Sequence, residues 1–231
     1  MDALLNADIV GPFLTLGGDQ AFLCGYTPEQ PATELTCTIG GNMLFSRDND
    51  GNITHRFASY LGAQLLTQVW LGESVEFHEL YPVALHPRPH PGDSLLTAYA
   101  VYRPDGLWSL LIISKDSRRA YRVNVEFLNM LTGITTRSQT AIELYQFSGE
   151  NYQLSAEKSD PYPVRFLPPT HQRLDKNGLK TVVLPSYSLS VLRKAGPNPQ
   201  SGCCHICCFT SPLKRSLGPL RRSWISSKTS R

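Results

Sequence analysis

Acidic residues vanish from the last part of the chain: after Arg193 there are seven Lys or Arg and no Asp or Glu. Residues 1–193 hold 15 basic against 19 acidic groups, so the body is slightly acidic and offers no basic surface of the kind nucleic acid needs. Long hydrophobic runs are also missing, and none approaches the roughly 20 residues that span a bilayer as a helix. The first residues carry Asp2 and Asp8 where a secretory leader needs positive charge, and no small-residue cleavage pattern follows, so no signal peptide is expected. Cysteine is sparse in the body, where only Cys24 and Cys37 occur outside the cluster at 203–208. That excludes a disulfide scaffold and leaves the redox compartment open. No Ser is framed as a nucleophile elbow and no Gly-rich phosphate cradle is found, so no cofactor is expected.

What is present begins with residues 95–127, LLTAYAVYRPDGLWSLLIISKDSRRAYRVNVEF. Residues 95–102 are aliphatic and aromatic, and Pro104-Asp105-Gly106 supplies the fixed φ and the glycine of a tight reversal, so a hairpin is expected. Residues 107–114 form a nearly unbroken apolar run, the mark of a strand buried on both faces. Tyr121, Val123, Val125 and Phe127 then alternate with Arg122, Asn124 and Glu126, as in a strand with one solvated face. These three strands are expected to follow one another in an antiparallel sheet that packs on a second sheet. Further strands are expected at 76–83, 141–147, 152–154, 181–184 and 188–192. Pro161, Pro163, Pro168 and Pro169 mark an irregular crossing, and Asn177-Gly178 opens a closing hairpin. Many short strands with Pro and Gly turns mean a sandwich or barrel.

The first 70 residues read differently. Leu4, Leu5, Ile9, Val10, Phe13 and Leu14 fall at helical spacing, and Gly17-Gly18 suits a left-handed cap. Pro12 should kink the last turn. Residues 21–26 read as a short buried strand. A strand at 43–46 is closed by Asp48-Asn49-Asp50-Gly51, and Phe57, Tyr60, Leu61, Gln64, Leu65 and Val69 predict an amphipathic helix over 55–70.

Taken together, LLNADIVGPFLTLGGDQAFLCGY (4–26), NMLFSRDNDGNITHRFASYLGAQLLT (42–67), TAYAVYRPDGLWSLLIISKD (97–116) and VLPSYSLSVLR (183–193) resemble the C-terminal part of a retaining glycoside hydrolase. The type is family 39-like, that of β-xylosidase and α-L-iduronidase, and the resemblance covers about 190 of 231 residues. Its most specific element is a short strand, an NDG turn and an H-R-x-x-x-Y-x-G-A-x-L-L helix. The fold this implies is mostly β, with a C-terminal antiparallel β-sandwich over 72–193 preceded by the last βα elements of a truncated (β/α)8 barrel over 1–71. Glycoside hydrolysis needs two carboxyl groups. In such barrels they stand at the ends of the fourth and seventh strands, which here would lie before Met1. The resemblance therefore implies a fragment with no catalytic residue of its own and inactive alone, or alternatively a non-catalytic carbohydrate-binding or structural sandwich module. Its partner would be a polysaccharide or oligosaccharide. Tyr26, at the end of the eighth strand, and Glu29, in the loop after it, are the residues the resemblance places to touch sugar. Self-association is expected through the exposed barrel face, since the apolar faces of the first helix and of residues 21–26 would have no built-in partner.

Other constellations have bland explanations. Asp48, Asp50 and Asn52 suit a turn better than a calcium loop, since the downstream bidentate Glu is missing. His78, Glu79, His86 and His90 fall in a Pro-interrupted segment without fixed ligand geometry, so no metal is expected there. Asn52-Ile53-Thr54 is a sequon. Residues 194–231, with CCHICC and seven basic groups, are expected to be a disordered tail, with zinc ligation or lipidation of the cysteines as alternatives.

Overall fold

The computed structural model describes residues 2–18, 20–21, 44–73, 76–86, 95–137, 141–155, 162–175, 181–195 and 204–212. The first helix, α1 (Asp2–Thr15), ends as its glycines require. Gly17 sits at φ +94°, its N–H donates to Leu14 O at 3.1 Å and that of Gly18 to Phe13 O at 3.0 Å, a left-handed cap that answers the last carbonyls. A bulged hairpin follows, β1 (Phe45–Arg47) with β2 (Ile53–Arg56). The second helix begins later than its periodicity predicts, because Ile53–Arg56 pairs with β1 and Phe57 is still extended. It comprises α2 (Ala58–Gln64) and a π-helical turn, Leu65–Trp70. Gly62 lets α1 and α2 touch, since a Cβ there would stand 2.8 Å from the Ala3 Cβ.

The remaining described chain is β, as expected. In order these are β3 (Glu79–Tyr81), β4 (Val83–His86), β5 (Leu96–Tyr102), β6 (Leu107–Ser114), β7 (Tyr121–Asn129), β8 (Thr135–Arg137), β9 (Ile142–Phe147), β10 (Tyr152–Leu154), β11 (Pro163–Phe166), β12 (Thr170–Leu174), β13 (Val182–Leu184), β14 (Ser188–Ala195) and β15 (Cys204–Pro212). One six-stranded sheet runs β12-β9-β14-β6-β5-β3, and a second runs β13-β7-β15-β4 with β8 beside β7. β10 and β11 form a separate hairpin.

Two cores define three layers. Ala100, Trp108, Leu110, Ile112, Leu144 and Leu192 of the first sheet meet Val123, Phe127, Val182 and Leu184 of the second, giving the sandwich interior. Trp108 is its centre, within 5.4 Å of the Tyr102 and Phe127 rings and 4.8 Å of Tyr81. On the other face of the first sheet, Val101, Leu111, Ile113, Phe147, Leu189 and Val191 are covered by Ala3, Leu4, Ala7 and Val10 of α1 and by Leu61, Leu65, Leu66 and Trp70. β6 is therefore buried on both sides, as its apolar run predicts, and each such side chain contributes roughly 1.5–3 kcal/mol.

Five expectations are corrected. β7 does not pair with β6: after the turn at Asp116 the chain crosses to the second sheet, and β14 takes the place beside β6 over eight residue pairs. Pro82 divides the predicted strand at 76–83, sending β3 to the first sheet and β4 to the second. The supposed irregular crossing holds β11 and β12, because Pro163 stands at a strand start and Pro168 and Pro169 fall between the two strands, while Pro161 lies outside the described residues. The tail does not lose order at Lys194. Lys194 and Ala195 extend β14, and Cys204–Pro212 inserts between β7, antiparallel, and β4, parallel. β13 and β14 belong to different sheets, so they form no closing hairpin; Asn177-Gly178 lies outside the described residues. So do 22–43, with most of the expected barrel strand.

Candidate functional site

A groove of about 840 Å³ opens between α1, the β1–β2 hairpin and the outer side of α2 and the π-turn. Val10 and Leu14 form one wall, Leu44, Phe45, Ile53 and Arg56 the second, and Tyr60, Gln64, Leu66, Thr67, Gln68 and Leu71 the third, with Gln20 and Ala21 at the rim. The hairpin turn sets the second wall. Asp48 accepts from the backbone of Asp50 (3.0 Å) and Asn52 (2.8 Å) and from Asn52 Nδ2 (3.2 Å). Those bonds, Asn52's first, hold its pKa below the usual value. Residues 48–52 are thus a self-contained turn, with the Asp48 oxygens already engaged.

Inside the groove, Phe45 and Tyr60 meet at 5.2 Å between ring centres, and the Arg56 guanidinium lies 5.4 Å from the Tyr60 ring. The lining is mainly apolar with amide, hydroxyl and guanidinium groups at its edges, a surface suited to a neutral, hydroxyl-rich ligand with apolar faces. Among the described residues that line it there is no Asp, Glu, His or Cys. Nearby, Ser46 Oγ is 3.3 Å from His55 Nδ1 and 2.8 Å from Thr54 Oγ1. Ser46 is fully buried, so this pair ties the hairpin and presents no nucleophile.

A second polar constellation stands on the helix-facing side of the first sheet. Tyr145 of β9 stacks on His171 of β12 at 4.3 Å and 14°. Arg193 of β14 lies 4.7 Å from the Tyr145 ring and donates from Nη2 to its hydroxyl at 2.5 Å. Glu143 pairs with His171 and, at 3.8 Å, with Arg173. Tyr99 is elsewhere, beneath α1 with Gly11 against its ring; burial and then the Asp8 charge raise its pKa. Tyr121 donates to Asp116 at 2.8 Å, and burial followed by that carboxylate pushes its pKa to about 12.

Tyr26 and Glu29, the two residues the resemblance places against sugar, lie outside the described residues. His90 does too, while His78 faces the carbonyls of Leu71 (2.6 Å) and Glu76 (3.0 Å). Among the described residues no three His, Cys, Asp or Glu converge as metal ligands, and no helix is long and apolar enough to cross a membrane. Sequence reading missed Arg56 and Tyr60 as groove-lining residues because the opening they share forms only when α1 and the hairpin pack beside α2. It missed His171 because its neighbour Tyr145 is brought to it by strand pairing.

No protein-family model matches the chain, and no curated protein does. Among solved structures the chain is similar to the thermostable GH51 α-L-arabinofuranosidase of Thermotoga petrophila RKU-1. The identity is 12%, the TM-score 0.39, and the match covers 67% of this chain and 32% of that one. It is also similar to Cel44A, a GH family 44 endoglucanase of Clostridium thermocellum, at 13% identity and TM-score 0.30, covering 58% of this chain and 22% of that one. The chain thus spans a third or less of the length of either.

Proposed function

We propose that this chain is the C-terminal part of a glycoside hydrolase, with residues 1–71 the end of its barrel and a sandwich from residue 72 onward that takes in β14 and β15, and that it binds carbohydrate without cleaving it. The observation that carries this is the groove between α1, α2 and the β1–β2 hairpin. It pairs aromatic Phe45 and Tyr60 with the amides of Gln64 and Gln68, and among the described residues no carboxylate lines it, whereas cleavage needs two. The resemblance of residues 4–67 to a barrel end points the same way. Tyr26 and Glu29 follow groove-rimming Ala21 in the chain and are proposed as further sugar contacts. The test is a titration with xylan- and arabinan-derived oligosaccharides followed by NMR. Saturable shifts at Tyr60 and Gln64 are expected, together with loss of binding in Tyr60→Ala and Arg56→Ala and no release of aryl alcohol from aryl glycosides. Absence of binding at millimolar ligand ends the proposal, and cleavage ends its non-catalytic half.

A second reading, a sugar-binding sandwich module, is favoured by one observation, the stacked Tyr145 and His171 flanked by Arg193, Glu143 and Arg173. If binding survives Tyr60→Ala and is lost in Tyr145→Ala, that reading replaces the first.

A further inference from the structure

We propose that the layer between the first sheet and the π-helical turn holds an oxyanion-binding site built by Trp70, Arg103, Ser109 and Arg193. The inference rests on neither sugar reading: the groove lies on the outer side of the π-turn, the stacked rings of Tyr145 and His171 lie towards the β12 edge, and this site is beneath the turn's inner side.

Four buried groups here carry a hydrogen to donate and have no acceptor among the described residues: Trp70 Nε1, Arg103 Nε, Ser109 Oγ and Arg193 Nε. Trp70 and Ser109 are fully buried, and Arg103 is 8% exposed. A buried donor without an acceptor is costly, so such groups in native proteins are ordinarily answered by protein, water or a bound ion. Strand pairing makes them neighbours. Ser109 of β6 stands opposite both Arg193 of β14 and Val101 of β5, and Arg103 is two residues past Val101 on the same face. Opposite positions have Cβ atoms about 5 Å apart and diagonal ones about 7–8 Å, within the reach of an arginine. Val101, Leu111 and Val191 turn that face towards the helices, where Trp70 packs into the same core. The other unpartnered hydroxyl, Ser114 Oγ, is an odd number of residues from Ser109 and so points to the opposite face.

Both arginines are fixed by their outer nitrogens, which leaves Nε as the free donor. Arg103 Nη1 donates to Val69 O at 3.0 Å, next to Trp70, and Nη2 to Asp105 at 2.6 Å. Gly72 makes room for it, since a Cβ there would stand 2.3 Å from Nη2. Arg193 Nη2 is held by the Tyr145 hydroxyl. The site thus offers donors and no acceptor, which calls for a ligand made of acceptors. Its charge follows from the ion pairs. Arg103 is balanced by Asp105, whereas Glu143, the cross-strand partner of Arg193, is taken by His171 and Arg173. One positive charge is left over, on the half-buried Arg193 through which a ligand would enter. A carboxylate, phosphate or sulfate answers it with several lone pairs on one small group, in the charge-assisted bonds for which guanidinium is best suited. Trp70 also closes a π-helical turn, an element that recurs at functional sites.

The test follows the indole N–H signals of the full, nitrogen-15-labelled chain by NMR, with Trp70→Phe assigning the Trp70 signal. Sodium acetate, phosphate and sulfate are each added to about 20 mM, against sodium chloride of equal ionic strength. A saturable shift of the Trp70 indole is expected with at least one of the three, while that of Trp108, on the other side of the sheet, stays in place. Response to acetate alone identifies a carboxylate ligand, and response to phosphate or sulfate a tetrahedral one. Arg193→Met should weaken binding about tenfold or more, and Ser109→Ala, a smaller change that keeps the fold should the first variant lose it, about threefold or more. The proposal is overturned if the Trp70 signal ignores all three anions, if chloride moves it equally, or if the shift survives Ser109→Ala undiminished. It is also overturned if the Trp70 indole shows only a long-lived bound water that no anion displaces.

Discussion

Lys115, one residue past the end of β6, donates from Nζ to the Asp8 carboxylate at 3.0 Å, and Thr97 Oγ1 donates to the same carboxylate at 2.7 Å. Both partners are two-thirds or more buried, so the pair is shielded better than a surface bridge. It joins α1 to the β5–β6 hairpin across most of the domain's sequence. Asp8→Ala should lower stability by about 1–2 kcal/mol, read as a shift of the urea midpoint with unchanged slope. Tyr99, released from a neighbouring negative charge, should titrate at lower pH in that variant, which ultraviolet difference absorbance will register.

Lys194 places a charge in the sandwich interior. Its Nζ lies 4.0 Å from the centre of the Phe127 ring, and burial lowers its pKa from 10.5 to about 8. Between those two values the unfolded chain binds more protons than the folded one, so stability should rise with pH from about 8 to 10.5. Below pH 8 the amine is charged in both states and the full penalty applies, about 3 kcal/mol at most before the ring contact offsets part of it. Lys194→Met should therefore stabilise the protein by about 1–3 kcal/mol at pH 7 and flatten the alkaline rise. A less stable variant would refute this account of the side chain.

Asp116 organises the crossing between sheets. It accepts the backbone N–H groups of Arg118 (2.8 Å) and Arg119 (3.0 Å) and the Tyr121 hydroxyl, and its carbonyl receives the N–H of Tyr187, which sits at φ +44°. Burial alone would raise its pKa, but these bonds outweigh it and hold the group below 3.8. The sign follows: its contribution is complete above the unfolded value near 3.9 and is lost as pH falls through the lower native value. Asp116→Ala should cost about 2–3 kcal/mol at pH 7, and its difference from the parent should shrink as acid is added down to pH 2. Parallel acid curves would count against it.

A chain ending at Ala195 should melt well below the full chain, by about 10 °C or more. β15 pairs over nine residues with β7 and over four with β4, and in the described structure β4 has no other sheet partner. Equal melting temperatures would show that residues 204–212 contribute nothing to the second sheet.

Local signals in the sequence were reliable where local physics decides. The Gly17-Gly18 cap, the Pro104–Gly106 reversal and the doubly buried β6 depend on a few neighbouring residues, and all three stand as read. Partner choice between strands was not legible. LWSLLIIS announces a central strand, yet nothing within it says that its second neighbour is β14 and not β7. β15 escaped notice because the basic, cysteine-rich composition around it masks a nine-residue strand. The groove was invisible for the same reason: Val10, Ile53 and Tyr60 come from three elements, and only packing brings them to one opening. His55 and Arg56 show the reverse error, where periodicity carried a helix across two residues that pair as strand.

Because β4 and β7 are bridged by residues 204–212, the second sheet stays open during synthesis until those residues have left the ribosome. The long flank of β7 is an unpaired template throughout that interval. A nascent chain paused near residue 195 should therefore be a preferred client of chaperones that hold extended segments.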